Sequence, residues 1–226
     1  FRVEEYKRPT FKVEFPDVKQ HYEAGDTVEV RGKALTYAGV PVQGAEVEYR
    51  VERRVAFWWW QSMRYYDMGV IGIGSNNEEV FSGETVTEAD GSFVVKMPMI
   101  IPESEHPLFF NFVVVADVTD TAGESHTEQF SLPLGNRKTA LSVDLDDKVL
   151  LEKNPTMTFH LRNAAGKDID ASVKYRIDGN RRWWDWPTQK KIELSEMRLK
   201  SGKHTVEAIC EGDTLKQDIA RSEERR

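Results

Sequence analysis

"AEVEYRVERRVAFWWW" (residues 45–60) can be laid without gaps over "ASVKYRIDGNRRWWDW" (residues 171–186). The two match at Ala45/Ala171, Val47/Val173, Tyr49/Tyr175, Arg50/Arg176, Val51/Ile177, Trp58/Trp184 and Trp60/Trp186. In both, apolar residues alternate with charged ones, which is the period of a half-buried β-strand. The echo continues outward. Ala38-Gly39 corresponds to Ala165-Gly166 with a one-residue slip, and Val114 and Ala116 of "FVVVAD" fall over Val206 and Ala208 of "HTVEAI". One β unit is therefore written twice in tandem.

Period two recurs along the rest of the 226 residues, in "FKVEF", "TVEVRGKAL", "SFVVKM", "FNFVVVADV", "TEQFSLPL", "ALSVDL", "TMTFHL" and "SVKYRI". Turn chemistry separates these runs, notably Asp90-Gly91, "GVPVQG", "DTAG" and "NAAG". Helical periodicity is nearly absent, and "IELSEMRLK" reads equally as a short helix or a strand. Many short strands at regular spacing predict an all-β chain of two tandem immunoglobulin-like antiparallel β-sandwiches of about 100 residues each. The join is expected near Leu134 to Lys138, where Pro133, Gly135 and Asn136 interrupt the strands. That places one sandwich at residues 1–134 and a second, shorter and more diverged one at 135–226. The first carries a long extra stretch after Trp60, Gln61 to Asn111, against Pro187 to Lys203 in the second.

The net charge of −7 is unevenly shared: residues 1–134 carry 12 Lys+Arg against 22 Asp+Glu, and residues 135–226 carry 19 against 16. An acidic first half, and basic residues interleaved with acids in the second, argue against nucleic-acid binding. No apolar run reaches the roughly 18 residues of a membrane-spanning helix, and none of these residues reads as a signal peptide. The chain starts in mid-pattern at Phe1 and stops in "SEERR", which suggests a piece of a longer polypeptide. The single cysteine, Cys210, excludes an intrachain disulfide and reads as a buried thiol.

Nothing in the chain reads as a catalytic constellation, a cofactor site or a metal site. "GVIGIG" (69–74) lacks the spacing of a phosphate loop. His21, His106, His126, His160 and His204 are scattered without a ligand pair, and no G-x-S-x-G elbow occurs. The acids of "DLDDK" (144–148) and Asp117/Asp120 are weak calcium candidates, Asp120 being an ordinary hairpin residue.

The aromatic cluster carries two readings. On a strand, Trp58 and Trp60 point one way and Trp59 the other. Their register with Trp184 and Trp186, next to the Tyr49/Tyr175 match, marks Tyr49, Trp58, Trp60, Tyr175, Trp184 and Trp186 as core candidates. A buried Trp removes about 150–250 Å² from water, worth roughly 4–6 kcal/mol at most. Trp59 aligns with Asp185 and is expected to pack under the Gln61–Asn111 stretch. Were Trp59 bare to solvent, a carbohydrate-binding platform would be favoured instead.

"FRVEEYKRPTFKVEF", "AGDTVEVRGKALTYAGVPVQGAEVEYRVERR", "GETVTEADGSF" and "VVVADVTDTAGES", taken in order, resemble the macroglobulin (MG) domains of bacterial α2-macroglobulin-like proteins. The resemblance covers residues 1–135 and weakens over "ALSVDLDDKVLLEKNPTMTFHLRNAAGKDIDASVKYRI", which looks like a following, diverged domain of the same array. It implies a structural part of a large protease-trapping endopeptidase inhibitor, periplasmic or at the cell surface, lipid-anchored through a segment outside this chain. The partners it implies are neighbouring MG domains and target proteases. "VEEYKRP" would then be the crossing from a preceding domain, stopped by Pro9. The family's thioester has Gln three residues after its Cys; here Cys210 is followed by Glu211, Gly212 and Asp213, so that chemistry is absent from this chain. The alternatives are a secreted carbohydrate-binding module and an adhesin-type spacer.

Overall fold

The structure, a computed structural model, describes residues 10–19, 21–62, 77–104, 107–145, 148–150 and 155–222. Two units emerge. The first comprises Phe1–Val55, Ile73–Ser104 and Phe110–Leu134; the second comprises Ala56–Gly72, Glu105–Phe109 and Gly135–Arg226.

In the first unit, strands β1 (Phe11–Glu14), β2 (Thr27–Thr36) and β5 (Ser92–Pro98) form a three-stranded antiparallel sheet, order β1-β2-β5. β3 (Glu46–Val55), β4 (Asn77–Val86), β6 (Phe109–Thr119) and β7 (Ser125–Gly135) form a four-stranded one, order β4-β3-β6-β7. The alternation in the sequence becomes two faces. Along β2, Val28, Val30 and Ala34 are buried while Glu29, Arg31 and Lys33 are exposed. Phe93, Val95 and Met97 of β5 are buried, as are Val47, Tyr49 and Val51 of β3. Each such side chain contributes about 1.5–3 kcal/mol. Tyr49 ties the two layers together: the backbone N–H of Lys96 on β5 donates to its phenol oxygen at 3.2 Å.

The second unit repeats this order strand for strand. β8 (Thr139–Leu145), β10 (Thr156–Asn163) and β13 (Lys191–Glu193) pair as β13-β10-β8. β11 (Ser172–Ile177), β12 (Trp184–Pro187), β14 (Gly202–Cys210) and β15 (Asp213–Ser222) pair as β12-β11-β14-β15, with β9 (Lys148–Leu150) added in parallel to β15. "IELSEMRLK" begins as β13 and turns into a 3-10 helix over Leu194–Met197. The unit's core gathers Met157, Phe159, Leu161, Val173, Tyr175 and Val206.

Register shows how deep the duplication runs. Tyr49 faces Ala116 and Val51 faces Val114; Tyr175 faces Ala208 and Ile177 faces Val206. The turns after β2 and β10 also coincide, with Gly39 N–H donating to the Thr36 carbonyl and Gly166 N–H to that of Asn163, both at 2.8 Å. Two buried threonines that the sequence comparison passed over complete the match. Thr87 accepts the Ala45 N–H on its hydroxyl at 2.9 Å, and Thr188 accepts that of Ala171 at 3.0 Å.

The register of the tryptophans does not hold. β11 ends at Ile177, where Asp178 and Gly179 turn the chain with positive φ, whereas β3 runs on through a bulge at Val51/Glu52 to Val55. Residues 57–60 are accordingly not on a strand: Phe57–Ser62 form a short helix, α1, in the connection between β3 and β4. The position paired to Tyr175 by β12 is Trp184; the one paired to Tyr49 by β4 is Gly83. A β-carbon on Gly83 would lie 2.7 Å from the Tyr49 hydroxyl, so the phenol fills the space that a side chain there would need. Much of the stretch from Gln61 to Asn111 is likewise no insertion, since it supplies β4, β5 and the start of β6.

Candidate functional site

α1 is part of the second unit, and its aromatic residues have separate environments. Trp59 is 2% exposed and sits edge-on to Phe109, ring centroids 5.2 Å apart. It packs on the residue that opens β6, inside the Gln61–Asn111 stretch but at its far end. Trp58 is half-buried instead of core: its indole N–H donates to the Ala164 carbonyl at 3.3 Å, and its ring also meets Phe109 at 5.0 Å. Below it lies Gly166, at φ +77°, where a β-carbon would come within 2.5 Å of Trp58 Cδ1. Glycine is required there twice over, for the left-handed turn and for the approach of the indole. Phe57 is 71% exposed. The side chain of Trp60 lies outside the described residues, as do "GVIGIG", His106, Asp146, Asp147 and Pro9.

Trp184 and Trp186 are brought together with Tyr175 at the β12 edge of its sheet. They project from β12 and pack, partly buried, against the second unit's core; Trp184 stacks obliquely on Tyr175 at 5.7 Å. The indole N–H of Trp186 donates to the Lys190 carbonyl at 3.1 Å. Because β12 has four residues and β13 three, the sandwich edge is left open between them. A pocket of about 620 Å³ results. Its wall includes Tyr175, Trp184, Trp186, Ile192, Met197 and Leu199, with the carboxylates of Asp178, Glu193 and Glu196. Tyr49 is 8% exposed and Tyr175 5%, and burial raises the Tyr175 phenol above its ordinary pKa.

The other candidates have structural occupations. His21, His126, His160 and His204 lie beside Glu23, Glu124, Asp168 and Asp178 respectively. Asp120 accepts the Ala122 and Glu124 N–H groups within its own turn, and Asp117 accepts the Thr127 hydroxyl. Among the described residues no group of three His, Cys, Asp or Glu is placed to hold a metal ion, and no helix is long and apolar enough to cross a membrane. Cys210 is buried, donates to the Ser172 carbonyl, and has its thiol pKa pushed up by burial and by Glu211 and Asp213.

Two carboxylates that the sequence did not single out hold the start of each sandwich. Glu124, in the β6–β7 hairpin, takes the Thr10 N–H at 2.7 Å and the Thr10 hydroxyl at 2.9 Å. The Thr10 N–H, with the His126 ring beside it, holds the Glu124 carboxyl at about 2. Asp213, in the β14–β15 hairpin, takes the Thr139 hydroxyl and Arg137, each at 3.3 Å. No single motif announces either clamp, since its partners are 114 and 74 residues apart.

Fold and sites together define a pair of immunoglobulin-like β-sandwiches of the macroglobulin type. Solved structures with this fold include native Escherichia coli alpha-2-macroglobulin (TM-score 0.58, 10% identity) and the same protein activated by trypsin (0.58, 10%). A Salmonella alpha-2-macroglobulin mutant is similar at TM-score 0.59 and 10% identity. They cover 98%, 95% and 96% of this chain, which spans only 16–17% of theirs. No protein-family model and no curated protein matches the chain.

Proposed function

We propose that the chain is a structural segment of a large, secreted α2-macroglobulin-like protein that traps proteases, with no catalytic step of its own. The observation that carries the reading is the three-plus-four strand order written twice, in a chain matched over 95–98% of its length by macroglobulins solved in native and protease-activated states. Such modules supply a scaffold. Their partners are the neighbouring domains of the same polypeptide and, through it, the protease; its place is the periplasm or the cell surface. The rest of the site agrees with that role, since His126, His160 and His204 and the acids Asp117 and Asp120 are engaged within sandwich turns and strands. Burial of Trp59 removes the support that an exposed tryptophan row would have lent to a carbohydrate platform.

The test uses the parent polypeptide incubated with trypsin. Trapping predicts that trypsin remains bound and still cleaves small peptide substrates while large protein substrates are spared. Equal cleavage of large and small substrates sinks the proposal. The 226-residue chain by itself is expected to leave trypsin unaffected.

A further inference from the structure

The pocket between β12 and β13 has a composition that scaffolding does not require. Two indoles and Met197 form an apolar, polarizable wall, and Glu193 and Glu196 stand on it as exposed carboxylates. Neither glutamate has an ion-pair partner among the described residues. The third carboxylate, Asp178, is already engaged by His204 at 2.7 Å and by the Thr205 N–H at 2.9 Å, and these contacts hold its pKa down. Among the described residues no lysine or arginine lines the pocket, although Lys191, Arg198 and Lys200 lie close by in sequence and are exposed. The volume of about 620 Å³ is within the range of sites for small organic molecules.

The first unit shows that the fold does not demand this arrangement. There the strand corresponding to β12 is β4, ten residues long, with Gly83 in the place of Trp184. The Tyr49 phenol lies over that glycine. The opening of about 540 Å³ beside Tyr49 and Gly83 is lined by charged and polar side chains, among them Glu48, Arg50, Glu84 and Asp117, whereas the second unit's is walled by two indoles and aliphatic side chains.

We propose that this pocket binds a small organic monocation with an apolar or aromatic body, an arylalkylammonium being the representative. The indole faces attract the cation while the apolar body lies against Ile192, Met197 and Leu199, and Glu193 and Glu196 supply the countercharge. The site is independent of protease trapping and stands or falls without it.

The test titrates phenethylammonium, phenethyl alcohol and phenylacetate into the 226-residue chain at neutral pH, by calorimetry and by the indole N–H resonances in a proton–nitrogen correlation spectrum. The ammonium is expected to bind about tenfold more tightly than the alcohol, about 1.4 kcal/mol, and the carboxylate more weakly than both. Two of the six indole signals, those of Trp184 and Trp186, should shift. The double variant Glu193→Gln/Glu196→Gln changes two exposed side chains; it should keep the alcohol affinity and lose the ammonium preference. Equal binding of the three probes, no binding of any, or a preference that survives the double variant overturns the proposal. So does a lysine-containing peptide that binds more than tenfold more tightly than phenethylammonium.

Discussion

Replacing Gly166 by alanine tests the packing of α1 against the β10–β11 turn, because the duplicated fold supplies its own control at Gly39. Both glycines end equivalent turns with left-handed backbones, φ +77° and +82°. For either, an L-residue costs about 1–2 kcal/mol in backbone strain. There the similarity stops. A β-carbon at Gly39 meets nothing within 4 Å, whereas at Gly166 it lies 2.5 Å from Trp58 Cδ1 and 3.0 Å from Nε1. The ring must move and release its hydrogen bond to the Ala164 carbonyl, a loss of about 0.5–1.5 kcal/mol, with part of its dispersion contact added. Gly39→Ala is therefore expected to cost about 1–2 kcal/mol and Gly166→Ala about 2–4 kcal/mol. Urea denaturation measures both. All six tryptophans fall in segments of the second unit, so their emission follows Gly166→Ala there, while far-UV circular dichroism follows Gly39→Ala. The cycle is completed with Trp58→Ala, in whose background the extra cost of Gly166→Ala should vanish. Equal losses at the two glycines, or an extra cost unchanged without the indole, would refute the argument.

Thr87→Val and Thr188→Val each leave a backbone N–H, that of Ala45 or Ala171, without its buried acceptor and should each cost about 1–3 kcal/mol in denaturation. A loss at one site only would mean that the two threonines do not share a role. Because the Glu124 carboxyl is held at about 2, below its ordinary 4.5, it contributes stability that is complete above about pH 4.5 and is lost as pH falls toward 2. Glu124→Gln should flatten stability across that window, and an unchanged acid slope would contradict the Thr10 clamp. Cys210, buried and with its thiol pKa raised, should react with a disulfide reagent only at the rate of unfolding and fully in denaturant; fast reaction in buffer would contradict its placement.

The all-β character and the tandem repeat were legible because alternation reports burial directly: Val28, Val30 and Ala34 face in, Glu29, Arg31 and Lys33 face out. The matches Ala116/Ala208 and Val114/Val206 coincide with strand register, since both strands pair with the Tyr49/Tyr175 strand. The tryptophan match failed for a local reason. A run of aromatics has no alternation to read, and a gapless comparison carries register past Ile177, where the second copy turns at Asp178-Gly179 and the first does not. The glycine in "IDGN" was the available signal. Thr87, Thr188 and Glu124 stayed hidden because their partners are long-range and their residue types are common in loops. The pocket was illegible for another reason, being made by the shortness of β12 and β13, a property of edges and not of any motif.

Trp58 finds its acceptor 106 residues further along the chain, at Ala164. During synthesis at roughly 5–20 residues per second, its indole would emerge about 5–20 s before the turn that receives it. Over that interval β4 to β7 follow β1 to β3 out of the ribosome, while the aromatic residues of the β3–β4 connection still lack the sandwich on which they close. Nascent chains of this protein are thus expected to be most prone to chaperone capture or misassociation not while the first sandwich is incomplete, but after its last strand has emerged.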